Sequence, residues 1–166
     1  MSDLSTAVSR TADAAQRLAA DLPDLLERRG WTVGTAESLT GGTIAGVLAA
    51  APSAQEWLRG AVVAYTPEVK FGLLGVPEGP VVTEECARTM ATATARLLGA
   101  DLVVAVTGVG GPEPAEGQDA GTVWFAVATP DGVRTEKTVF DGDPPDVLTA
   151  TTERAVVLLR EAAGGD

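Results

Sequence analysis

The chain of 166 residues contains no histidine and a single cysteine, Cys86. The first absence excludes a Ser-His-Asp triad and every histidine-ligated metal site. The second excludes an internal disulfide, a cysteine-rich zinc site and a Cys-His dyad. Cys86 lies in the stretch EECARTMATATARLL, whose apolar-polar pattern makes a buried thiol the expected state. Basic residues are few: 12 Lys and Arg stand against 23 Asp and Glu, a formal net charge of −11. That balance argues against direct nucleic-acid binding, which needs a basic surface to displace counterions. It leaves room for one small phosphorylated ligand, since a few amides at a helix start hold a phosphate. Lysine occurs only as Lys70 and Lys137, so lysine chemistry has two candidates. No apolar run approaches the roughly 18 residues of a membrane span, and the start, MSDLSTAVSRTADAAQRL, lacks a signal peptide's basic-then-apolar order. A cytoplasmic chain without membrane contact is the expectation.

What is present suffices for a core: 45% of residues are hydrophobic and 21% charged. Leu4, Val8, Ala12, Ala15, Leu18, Leu22, Leu25 and Leu26 recur at helical spacing, with Pro23 expected to kink the helix or to start a second one capped by Asp21. Strands are expected over Thr32–Ala36, Ala61–Tyr65, Asp101–Thr107, Gly121–Ala128 and Val133–Phe140, the last two joined by an Asp131-Gly132 turn. Helices are expected over Thr43–Ala50, from Ser53 to Trp57, over Pro67–Leu74, from Thr83 to Gly99 and over Asp146–Ala162. Asp101–Thr107 is apolar on both faces and is therefore placed at the centre of a covered sheet. The order predicts one α/β domain over residues 1–166, three layers α/β/α around a mixed, mostly parallel sheet of about five strands. Residues 1–17 form an N-terminal helical extension in this reading, and 164–166 a frayed tail. A ligand in such a fold lies off the carboxyl ends of the parallel strands, which singles out Glu37–Gly42, Thr66–Lys70 and Thr107–Gly121.

Three places carry chemistry. Ser38 follows a strand and precedes Thr40-Gly41-Gly42 and a helix. Its hydroxyl is exposed there beside helix-start amides that suit a phosphate or an oxyanion, or else Ser38 or Thr40 simply caps the helix. Lys70 stands one turn into a helix that begins beside a strand end. Partly desolvated, its amine can take a proton from a serine; solvated, it is an ordinary surface lysine. Tyr65 is expected half in the core with its hydroxyl turned toward a ligand. In Thr107-Gly108-Val109-Gly110-Gly111-Pro112, the glycines let backbone approach a ligand and Thr107 is placed to bond a nucleophile or phosphate. Glu113, Glu116 and Asp119 read as a solvated acidic loop in preference to a metal site.

Together, Ala36-Glu37-Ser38-Leu39-Thr40-Gly41-Gly42, Gly60–Tyr65 with Lys70, Thr107–Pro112 and Gly121-Thr122-Val123 resemble the CinA C-terminal family, over about Leu18 to Leu159. These are stand-alone or CinA-fused nicotinamide-nucleotide amidohydrolases, and this chain looks like the stand-alone form. The resemblance implies hydrolysis of the carboxamide of nicotinamide mononucleotide to nicotinate mononucleotide and ammonia, without metal or cofactor. It makes Ser38 the nucleophile and Lys70 its general base, with Tyr65 and Thr107 in support. Glu37, Thr40, Gly41, Gly42, Gly108, Gly110 and Gly111 would line the substrate. A small pyridine mononucleotide is then the partner, with a homodimer or larger homo-oligomer as the expected assembly. Where the family usually has Gly-Asp-Arg, this chain has Gly142-Asp143-Pro144, leaving Arg134 or Arg154 to compensate. That departure keeps two alternatives open: a nucleotide-binding module with weak or no turnover, and an amidase acting on a different small amide.

Overall fold

Alternation of side chains along the strands decides where the layers lie. The computed structural model describes residues 13–165. In it β3 (Leu102–Gly108) sends Leu102, Val104 and Val106 to one face of a sheet and Val103 and Ala105 to the other. Beside it β1 (Val33–Glu37) is buried along its whole length. The sheet has five strands in the order β2-β1-β3-β4-β5, with β2 at Leu58–Val63, β4 at Thr122–Thr129 and β5 at Gly132–Val139. β1 runs parallel to both β2 and β3, while β4 and β5 continue the sheet antiparallel. The half-exposed strands β2 and β5 are the two edges.

Among the described residues, six helices after residue 21 complete the layers. α1 (Leu22–Arg29), α2 (Thr43–Ala49), α3 (Ala54–Trp57) and α6 (Pro144–Ala163) pack on the face that carries Val104 and Phe125. α4 (Pro67–Leu74) and α5 (Glu84–Leu98) cover the face that carries Val103 and Ala126. Three layers around a mixed sheet is the expected architecture. Among the described residues no helix is long and apolar enough to cross a membrane.

The element boundaries differ from expectation where local chemistry outweighs pattern. Residues 13–18 are helical, and the chain turns at 19–21 before α1 restarts with Pro23 in its first turn. Asp21 makes no side-chain cap there, because its carboxylate binds the Arg160 guanidinium at 2.6 Å through each oxygen. The expected helix over residues 4–12 lies outside the described residues. β2 starts at Leu58, straight out of α3, and stops at Val63 instead of Tyr65. α6 starts two residues early, since Asp143 forms a capping box with Asp146 and Pro144 fits the first turn. Left-handed Gly164 ends α6, and the Gly165 amide donates to the Arg160 carbonyl.

After β1 the chain passes to the α2–α3 face, and after β2 to the α4–α5 face. Connections leaving neighbouring parallel strands in opposite directions open a crevice between their carboxyl ends. Ser38 stands on one side of it, Tyr65 and Lys70 on the other.

Candidate active site

Glu37, the last residue of β1, organises the Ser38 turn. Its carboxylate is fully buried and accepts hydrogen bonds from the hydroxyls of Thr40 (2.7 Å) and Thr35 (3.2 Å) and from the amides of Gly42 (3.2 Å), Ile44 (3.0 Å) and Ala45 (2.9 Å). It thus caps α2, whose N-cap position is Gly42, a residue with no side chain to do so. Capping by Ser38 or Thr40 is therefore replaced by a carboxylate from the strand. The turn needs left-handed backbone at Gly41 (φ 56°) and Gly42 (φ 101°), which glycine supplies without strain.

This corrects the use expected of the helix-start amides. Gly42, Ile44 and Ala45 donate to Glu37, the Gly41 amide to the Ser38 carbonyl and the Thr43 amide to the Thr40 carbonyl. None is left for a phosphate or an oxyanion. Amides that donate to no acceptor among the described residues include those of Leu39 and Thr40, ahead of the helix start, and those of Gly110 and Gly111. A Cβ on Gly110 would lie 4.0 Å from that of Leu39, so the two loops run side by side. Gly108 serves the sheet instead. A Cβ there would stand 2.6 Å from the Thr122 carbonyl oxygen, so its missing side chain lets β4 pair closely.

Ser38 is 7% exposed, and among the described residues its hydroxyl has no hydrogen-bond partner. Lys70 is 1% exposed, the largest fully buried side chain, and no surface lysine. It folds back from α4 over the end of β2, and its amine donates to the carbonyls of Ala64 (2.7 Å) and Tyr65 (3.2 Å). The Ala64 amide in turn donates to the Glu37 carbonyl, which ties the lysine's anchor to the residue preceding Ser38. Among the described residues no carboxylate comes within ion-pair distance of the amine. Burial lowers the Lys70 pKa from its ordinary 10.5, with the Cys86 thiol, Glu116 and Glu68 pulling the other way. Lys70 and Ser38 make no direct hydrogen bond.

Two expected helpers have surroundings other than those expected. Tyr65 is 65% exposed, with its ring at the crevice rim against Gly41, so it is no half-core residue. The Thr107 hydroxyl, instead of facing a nucleophile, donates to the Val81 carbonyl at 2.8 Å. Cys86 is buried as expected, and burial raises its thiol pKa from 9.0 to about 11. Glu113, Glu116 and Asp119 are exposed, as expected of a solvated loop, but the Glu116 carboxylate also accepts from the amides of Val81 (2.9 Å) and Val82 (2.8 Å).

Neither proposed substitute for the missing arginine reaches the crevice. Arg154 is held by Glu136 (2.6 Å) and Glu161 (3.2 Å). Arg134 lines a surface depression with Arg29, Trp31 and Asp131, toward the end of the sheet where the parallel strands begin. The hydrogen-bonding roles of Glu37 and Glu116 are what sequence reasoning missed. A carboxylate closing an apolar strand just before a glycine turn is the legible signal for the first; nothing local marks the second.

Fold and site together define a class: a three-layer α/β domain with a buried serine turn and a buried lysine at the carboxyl ends of adjoining parallel strands. The comparisons narrow the class to a family. Residues 15–163 match the CinA C-terminal domain model, and the chain belongs to that family. It is 39% identical over 146 residues to a CinA-like protein of Frankia casuarinae, covering 85% of this chain and 34% of that protein. It is 44% identical over 109 residues to a putative competence-damage inducible protein of Geobacillus kaustophilus, covering 62% and 26%. The chain thus spans about a third or less of the length of these relatives. Among solved structures it resembles a competence-damaged protein (CinA) superfamily protein of Escherichia coli, with TM-score 0.86, 33% identity, and coverage of 89% of this chain and 90% of that one.

Proposed function

We propose that this chain hydrolyses the carboxamide of nicotinamide mononucleotide to the carboxylate and ammonia, with Ser38 as nucleophile and Lys70 as its base. The observation that carries the reading is the state of Lys70: a residue 1% exposed, with no carboxylate ion pair among the described residues and its charged form disfavoured by burial. A buried lysine without a counter-charge lowers stability, and such a cost is ordinarily retained for function.

The chemistry follows from the valences. A neutral lysine amine has two N–H groups and one lone pair; the carbonyls of Ala64 and Tyr65 take the two hydrogens. The lone pair is then available to the serine hydroxyl, and the contact tightens when substrate fills the crevice. Ser38 Oγ attacks the carboxamide carbon while its proton passes to Lys70. The ammonium returns that proton to the departing nitrogen, which leaves as ammonia. Water, deprotonated by the same amine, cleaves the acyl-serine and frees the carboxylate. The amides of Leu39, Thr40, Gly110 and Gly111 are the candidate donors to the tetrahedral oxyanion.

A second reading, the same reaction on an amide without a phosphate, is favoured by the commitment of Arg154 to Glu136 and Glu161 and by Pro144 at the start of α6. Ammonia release from nicotinamide mononucleotide and from its dephosphorylated riboside, each against Ser38→Ala, tests both. The first reading expects the mononucleotide to be turned over and Ser38→Ala to lose on the order of 10³-fold or more. Turnover of the riboside alone selects the second reading. No ammonia above the variant from either removes both.

A further inference from the structure

The loop between β3 and β4, residues 109–121, has few anchors beyond its ends. Ala115 and Gln118 bridge each other across its tip, and Lys137 touches the Gln118 side chain at 3.2 Å in an exposed contact. A further tie is Glu116. This residue takes a left-handed backbone conformation (φ 54°), unusual for a side chain of its kind. From there its carboxylate crosses to the segment before α5, receiving the Val81 amide on both oxygens (3.1 and 2.9 Å) and the Val82 amide on one (2.8 Å). On its other side the same Val81 residue accepts the Thr107 hydroxyl at its carbonyl. Val81 is buried in the core cluster that also holds Cys86, and Val82 beside it is buried too. Glu116 and Cys86 are among the groups whose charges act on the Lys70 ammonium.

We propose that Glu116 is a positioning residue, a latch that fastens the 109–121 loop to Val81-Val82 and so keeps it near the Lys70 amine while holding Gly110 and Gly111 beside the Ser38 turn. Its consequence for turnover rests on the amidohydrolase reading above; the latch itself does not. The residue acts through backbone, touching no substrate atom. A carboxylate is required because one acceptor group must serve two successive amides, which a neutral amide oxygen with an NH₂ beside it satisfies only in part.

The experiment compares the full-length wild type with Glu116→Gln and Glu116→Ala, whose thermal midpoints first establish that both fold. Amide hydrogen exchange is followed at Val81, Val82, Gly110 and Gly111. In parallel a water-soluble acylating reagent reports amine exposure; only two lysines exist, and Lys137, already exposed with its Gln118 contact in place, is the internal reference. Release of the latch is expected to speed exchange at Val81 and Val82 by about tenfold or more and to raise Lys70 acylation relative to Lys137, more in Glu116→Ala than in Glu116→Gln. Unchanged exchange and unchanged Lys70 labelling in a folded Glu116→Ala overturn the latch, whatever the activity of the wild type. Where the wild type releases ammonia, the variants are expected to lose kcat more than they raise KM. An opened loop with kcat intact overturns the positioning role. If the wild type releases no ammonia, the amidohydrolase reading fails alone, and exchange and labelling still decide the latch.

Discussion

At the carboxyl ends of β1 and β2 two charged side chains are buried, and neither has an opposite charge within ion-pair distance among the described residues. Glu37 is held by two hydroxyls and three amides, Lys70 by two carbonyls. On the face covered by α6 charge is handled differently. Arg154 lies between Glu136 and Glu161, and Arg160 reaches across to Asp21, all at least partly in contact with solvent. The Glu136 carboxyl is held below its ordinary pKa by the Arg154 guanidinium, as the Asp21 carboxyl is by Arg160. Surface pairs of this sort cost little to make and contribute little, whereas an ion buried against backbone dipoles is expensive unless every contact is met. The difference teaches where the fold tolerates cost. Glu37 meets its cost with five bonds and gives a rigid turn; Lys70 does not fully meet it and retains a depressed pKa.

The comparison breaks most decisively at Lys70. Lys70→Met is expected to lose on the order of 10² to 10⁴ in rate of ammonia release while the protein becomes more stable in urea by about 1–3 kcal/mol, because the desolvated cation is gone. A destabilised variant, or one with full activity, would remove the distinction between the two regions.

Glu37→Gln tests the other buried charge. It leaves at least one of the Gly42, Ile44 and Ala45 amides without an anionic acceptor and is expected to cost about 2–4 kcal/mol in urea denaturation. A loss below about 0.5 kcal/mol would mean the turn is held by its glycines alone.

Cys86, an electrostatic neighbour of Lys70, sharpens the contrast through pH. Its folded pKa is raised from 9.0 to about 11, so the unfolded thiol ionises first as pH climbs. The folded state therefore keeps its full stability below about pH 9 and loses on the order of 2 kcal/mol by pH 11. Lys70 contributes the opposite slope: its folded pKa lies below 10.5, so its penalty is complete at low pH and is relieved as pH rises toward 10.5. Urea midpoints at pH 8 and 10.5 are expected to fall more for wild type than for Cys86→Ala. Equal slopes would place the thiol in water.

The smallest effect belongs to the surface. Arg154→Ala is expected to change unfolding free energy by less than about 1 kcal/mol and to leave ammonia release unaltered. A large loss of activity there would bring Arg154 back as the missing arginine.

Much of this is readable along the chain because it rests on short-range regularities. The apolar run Leu102–Val106 is central for the reason its sequence suggests, the Asp131-Gly132 turn joins β4 to β5, and Thr83 caps α5 by accepting from the Cys86 amide. Ser38 and Lys70 are legible as candidates from their places after β1 and β2. The errors are of another kind. Tyr65 is misjudged because whether a residue beyond the edge strand is covered depends on what packs there. Thr107 is misassigned because its acceptor, the Val81 carbonyl, lies 26 residues away. Glu116 is exposed as its loop suggests, but its tie is illegible because its two amide partners lie 34 and 35 residues away.

By itself, then, the amino-acid order determined the periods, the turns, the two candidate reactive groups and the chemistries that lacking histidine rules out, all properties of neighbours within a few residues. Only the tertiary structure decided that Lys70 is buried with no counter-ion among the described residues, that Glu37 consumes the helix-start amides, and that the Glu116 carboxylate meets the amides of Val81 and Val82. Each of these depends on which backbone donors and acceptors remain unpaired once the sheet has closed, and that balance exists only in three dimensions.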